Sequence, residues 1–159
     1  MKKLMCSLLA LACVLGLTAC QSGGADESKA TWTESHAQDI LAAGAFSEEL
    51  ETLDLDTLWM LYKLGDYGLE RESLTGGVCH RSAGATCEEL AVLIFDGEEA
   101  ANGAMEALEA YVQSQITANA DYRPAELPKL ENAWLAQRGY TVLLAVANDL
   151  EAAKSAVGE

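Results

Sequence analysis

Cys79-His80-Arg81-Ser82-Ala83-Gly84-Ala85-Thr86-Cys87 is the cluster in this chain with reactive character. Two thiols this close, around a small glycine-containing loop, make a disulfide in an oxidising compartment, and Cys79 and Cys87 are expected to pair. So short a loop contributes about 2–3 kcal/mol, chiefly by restricting the unfolded chain. Two other chemistries use the same residues. Positive charge from His80 and Arg81 lowers a neighbouring thiol pKa and would make Cys79 a nucleophile. Adjacent side chains on an extended strand point apart, however, so His80 is badly placed as its base. Zinc held by Cys79, His80 and Cys87 lacks a fourth ligand at the usual spacing.

The remaining candidates are weaker. His36 falls in the first turn of an expected helix, where a solvated or capping role suits it. Asp54-Leu55-Asp56 opens like a calcium loop but lacks the next acid or amide and the glycine that follows it. Helix capping and a solvated acidic face account for Asp54, Asp56, Glu98 and Glu99. Nothing selects a carboxylate pair for glycoside hydrolysis. The chain has no Gly-x-Ser-x-Gly, Ser-x-x-Lys, His-Glu-x-x-His, Cys-x-x-Cys, phosphate-binding loop or dinucleotide glycine pattern. No catalytic residue, metal or cofactor is assigned.

The N-terminus carries a sharper pattern. Lys2 and Lys3 precede an uncharged apolar run from Leu4 to Leu17, which leads into Leu17-Thr18-Ala19-Cys20. Small residues directly before a cysteine mark the lipobox of a secretory signal, in which the thiol of Cys20 is alkylated and the chain is cut before it. The run is too short for a spanning helix, which needs about 20 apolar residues. Leu17, Ala19 and Cys20 resemble the corresponding positions of bacterial lipoprotein precursors. That resemblance implies a diacylglyceryl thioether on Cys20, with acyl chains of the palmitate kind. Two acyl chains anchor stably, since each buried CH₂ contributes about 0.8 kcal/mol.

The 159 residues are half hydrophobic and carry 25 acids against 10 bases. That is enough apolar material for one packed domain, and the balance excludes a nucleic-acid binder, because phosphate contacts need clustered positive charge. Losing Lys2 and Lys3 with the signal takes the formal charge from −15 to −17. Anionic headgroups repel such a body. Residues 1–19 are therefore expected to be a cleaved signal, 20–33 a lipidated cysteine and small polar tether, and 34–159 a single domain.

Those chemistries need elements to hold them. Ser35 and Gln38 form a capping-box pattern before Ile40 and Leu41, with Gly44 as a stop. Asp54 and Asp56 precede Leu58, Trp59, Leu61, Tyr62 and Leu64 at helical spacing. The stretch Tyr67 to Gly77 shows no clear period. Leu90 to Phe95 is a bounded apolar run suited to a buried strand, and Asp96 is expected to cap the long helix that follows, near 97–119. Ala133 to Ala136 and Tyr140 to Val146 flank Arg138-Gly139 as a hairpin, and a short helix spans Leu150 to Val157. Trp59 and Trp134 lie in apolar patterns that suit the core, whereas Trp32, at the tether's end, is either exposed or tucked into the domain. The sum is an α+β fold: a small antiparallel sheet with helices on one face, after the signal peptide.

Several segments together resemble the short lipoproteins of clostridia-type Gram-positive bacteria that carry a domain of unknown function, number 4358. They are the lipobox at Cys20, Leu61-Tyr62, Glu88-Glu89-Leu90-Ala91-Val92, Tyr122-Arg123-Pro124 and Gly139-Tyr140-Thr141-Val142. The Cys79 to Cys87 segment departs from the family's pattern. The resemblance implies an extracytoplasmic lipoprotein and transfers no catalytic residue. The expected function is non-enzymatic binding or interaction at the cell envelope, with the membrane as partner through Cys20 and a protein, sugar or cation as ligand. The alternative is an envelope hydrolase using a carboxylate pair or the Cys79 thiol.

Overall fold

The computed structural model describes residues 31–159. In chain order they form α1 (Glu34–Ala42), β1 (Glu51–Leu53), α2 (Leu55–Leu61), β2 (Leu74–Arg81), β3 (Glu89–Phe95), α3 (Glu98–Asn119), α4 (Leu127–Glu131), β4 (Trp134–Arg138), β5 (Thr141–Val146) and α5 (Leu150–Ser155). Short 3₁₀ turns at Leu64–Tyr67, Arg71–Ser73 and Pro124–Glu126 link them. The five strands make one sheet in the order β1-β2-β3-β5-β4, antiparallel at every pairing. The α+β class is as the patterning indicates. Signal, lipobox and Cys20 lie outside the described residues.

Each element has a local cause. Asp54 accepts hydrogen bonds from the Asp56 and Thr57 amides at 3.0 and 2.9 Å and so starts α2. The α1 cap is Thr33 rather than Ser35, and its amide donates to His36 Nδ1 at 3.0 Å. His36 is thus part of a cap. The N-cap of α3 is Gly97 rather than Asp96, with Glu98 and Glu99 complementing the helix dipole. Over its 22 residues α3 buries Ala101, Ala104, Ala107, Leu108 and Tyr111 along one face. The apolar runs of β3 and β5 lie at the sheet's centre, where both sides of a strand are covered.

Alternation along β3 divides the core. Ala91, Leu93 and Phe95 face α2 and α3 together with Leu58, Leu74, Leu108 and Leu144. Leu90 and Val92 face the other way, against Trp32, Ala37, Ile40, Leu143 and Ala153 of the α1 and α5 side. Helices therefore cover both faces rather than the single face the pattern suggested, because β3 and β5 are apolar at consecutive positions and each side needs a cover. Trp32 is buried: its amide donates to Thr141 Oγ1 at 2.7 Å and its indole N–H to the Ala136 carbonyl at 2.9 Å. The guanidinium of Arg138 stacks over its ring at 3.5 Å. Trp59 and Trp134 are only partly buried.

β1 and β2 are additions to the expected elements. Gly77 in β2 has φ +133°, and a Cβ there would sit 2.2 Å from the Val92 carbonyl oxygen, so only glycine permits this approach to β3. The expected disulfide does not form, and both thiols are free. Cys79 is held inside β2 opposite Ala91, whereas Cys87 lies in the connection before β3, four positions short of Ala91. Four positions of extended chain span up to about 13 Å, whereas a disulfide needs Cα atoms within about 4.4–6.8 Å. Of the residues between the cysteines, His80 and Arg81 belong to β2 and the rest form its connection to β3.

Candidate functional site

β3 opens with two consecutive acids, Glu88 and Glu89, both buried. A buried carboxylate requires partners, and the two find different ones because successive strand residues point to opposite sides. Glu88 accepts from the Ser47 amide at 2.8 Å, the Ser47 hydroxyl at 2.6 Å and Lys129 Nζ at 2.8 Å. Those contacts tie the turn after α1 and the short α4 to the end of the sheet.

Glu89 points to the α3 side and is enclosed. One carboxylate oxygen accepts the hydroxyl of Tyr62, from the end of α2. The other accepts the Tyr111 hydroxyl of α3 at 2.7 Å and Nε of Arg81 in β2 at 3.1 Å. Cys79 Sγ lies 3.5 Å from the same Tyr62 hydroxyl. Loss of water pushes the Glu89 carboxyl above its ordinary range, against the pull of the Tyr62 and Tyr111 hydrogen bonds and the Arg81 charge. Burial and the adjacent Glu89 charge likewise hold both phenols well above their usual values. The two tyrosine rings meet edge to face, with centroids 4.9 Å apart.

This arrangement shapes the floor of a cavity of about 360 Å³ between α3 and the segment that ends α2. Tyr62 and Tyr111, their hydroxyls bound to Glu89, line it together with Leu61, Tyr67, Ala107 and Ala110. Ser114, Gln115 and Lys63 add the polar groups. Lys63 has φ +53°, the one non-glycine residue at positive φ among the described residues. The volume falls in the range of small-molecule sites, about 300–1,000 Å³.

The family model described as Domain of unknown function (DUF4358) matches residues 51–147. The chain belongs to this family. Neither a curated protein nor a solved structure matches it. Every strand of the sheet, the Glu89 enclosure and the cavity fall within the DUF4358 match, whereas α1 and α5 lie outside it.

Within the DUF4358 region the reactive cluster is dispersed. Burial and the Glu89 charge push the Cys79 thiol up to about 12, so it is not a nucleophile at neutral pH. Cys87 is half-buried, its amide donating to Glu126 Oε2 at 2.9 Å, and burial raises its thiol pKa too. His80 faces Thr52 Oγ1 at 3.2 Å through Nδ1, and burial lowers its pKa. Among the described residues no group of three His, Cys, Asp or Glu side chains could hold a metal. Asp54 caps α2, and Asp56 pairs with Arg71 at 2.6 Å. No described helix is long and apolar enough to cross a membrane.

Periodicity and spacing do not mark Glu88, Glu89 or Tyr111 as a site, and Glu88-Glu89 enters only as a resemblance motif. A signal was present: two acids that lead without a break into Leu90 to Phe95 must enter the sheet and be satisfied there.

Proposed function

We propose that this chain is a lipid-anchored lipoprotein of the Gram-positive, clostridia-type cell envelope whose domain binds a ligand without transforming it. The observation that carries the reading is Leu17-Thr18-Ala19-Cys20 at the end of an uncharged apolar run. The packed core reaches Trp32, so eleven residues separate it from the lipidated sulfur, a reach of about 40 Å when fully extended. The strong excess of acids over bases supports a body held off an anionic bilayer by that tether.

Binding is favoured over the thiol-enzyme alternative because the Cys79 thiol on which that alternative rests is sealed in the core beside Glu89. A carboxylate-pair enzyme lacks a geometric basis in Glu88 and Glu89, which point to opposite sides and are both fully hydrogen-bonded. Intact-mass measurement on the membrane-extracted chain tests the reading. Residues 1–19 are expected to be gone, with a diacylglyceryl mass on Cys20, and Cys20→Ala is expected to release the protein from the membrane fraction. Retention of Met1, or an unmodified Cys20 in wild-type protein, would overturn it.

A further inference from the structure

We infer that the tyrosine-walled cavity between α3 and the segment following α2 binds a small organic anion, a carboxylate carried on a flat apolar body. The inference deepens the binding reading above and does not depend on the lipid. Its apolar half follows from the walls: Tyr62, Tyr67 and Tyr111 line the cavity with Leu61 and Ala107. The Tyr62 and Tyr111 hydroxyls are bound to Glu89 and so are not free for a ligand, while the exposed Tyr67 and the aliphatic lining suit an aromatic or branched apolar group.

The charge half follows from Lys63. It is the one ionisable charge among the lining residues other than the tyrosine phenols, in a chain with 25 acids and 10 bases. Arg71, Arg81, Lys129 and Arg138 are held in ion pairs. Arg123 donates to the Gly84 and Thr86 carbonyls. Among the described residues Lys63 and Lys154 have no ion-pair partner, and of the two Lys63 lines the cavity. Its left-handed backbone, φ +53° and ψ 39°, is one that glycine adopts without strain, yet here a lysine holds it beside the cavity. The chain's overall negative field would draw a cation instead. That field is screened over about 8–10 Å, and a charge within a few ångströms of the ligand outweighs it. The Glu89 carboxylate, behind the tyrosine rings and matched by Arg81, offers a cation no free oxygen.

Calorimetric titration of the full chain with three probes of one shape tests this: phenylacetate, 2-phenylethanol and 2-phenylethylamine. Phenylacetate is expected to bind at least tenfold tighter than either of the others. Lys63→Gly, which suits the left-handed backbone and so keeps the fold, is expected to reduce phenylacetate to the level of the alcohol. Lys63→Arg is expected to keep the preference, and Ala110→Trp, at an exposed wall position, to abolish binding of all three. Equal or tighter binding of the amine, or an unchanged phenylacetate affinity in Lys63→Gly, overturns the ligand class and leaves a binding module standing. Absence of saturable binding by any probe overturns the cavity as a site, while the lipid mass on Cys20 is decided separately.

Discussion

On the α1 and α5 side of the sheet, Ala37, Ile40, Leu90, Val92, Leu143 and Ala153 meet through apolar contact alone, with Trp32 and the stacked Arg138 at the margin. On the α2 and α3 side an equally buried layer encloses Glu89, two phenols, a thiol and one end of Arg81. Apolar contact is non-directional and indifferent to pH, so the first side needs only volume and shape. The second is directional: each donor fixes its neighbour, and two tyrosine rings are held where they form a cavity floor. Buried polar groups that are fully satisfied specify geometry at an energetic cost. Here the cost falls on the side that carries the candidate site, inside the DUF4358 match, and the plain packing falls largely to helices outside it.

The largest test of this contrast is Glu89→Ala. It leaves the Tyr62 and Tyr111 hydroxyls buried without an acceptor and Arg81 without its partner, a loss of about 3–5 kcal/mol in stability, read as a lower urea midpoint. A loss below about 1 kcal/mol would show the enclosure to be incidental. The pH dependence sharpens the contrast. Because Glu89 has a folded pKa above its ordinary 4.5, the folded state keeps a proton that the unfolded state releases. Its stabilising contribution is complete below pH 4.5 and is lost as pH rises through the raised value. Glu89→Gln should flatten that slope in denaturant titrations across this window. A second decline is expected above pH 9, where the unfolded chain loses protons that Cys79, Tyr62 and Tyr111 keep when folded. On the opposite side Ile40→Val should cost only about 0.5–1.5 kcal/mol, equally at pH 5 and pH 8. A pH-dependent loss there would erase the distinction between the sides.

Much of the fold is legible in the residues because local chemistry and packing agree. Asp54 before an apolar helical set gives α2, the period of α3 is sustained over 22 residues, and Arg138-Gly139 between two apolar runs gives the β4–β5 hairpin. What escapes has tertiary causes. β2 reads Leu-Thr-Gly-Gly-Val-Cys-His-Arg, a glycine-rich string with no alternation, and it is a strand because Gly77 lets it close on Val92. Two nearby cysteines suggest a disulfide-closed loop, but Cys79 is held inside β2 while Cys87 lies in the connection before β3. The candidate site was hardest to see. Tyr62, Glu89 and Tyr111 are spread over 49 positions and meet only through the sheet's register and the placement of α3. Leu61-Tyr62 and Glu88-Glu89, met as resemblance motifs, turn out to hold two of its three parts.

The most direct measurement is amide chemical-shift mapping of the full chain during titration with phenylacetate. Perturbations confined to residues 61–67 and 107–115, with α1 and α5 silent, are the predicted result. Shifts centred on α1, α5 and the Leu90, Val92 and Leu143 side, or no saturable shifts at all, would contradict the assignment of ligand binding to the polar side of the sheet.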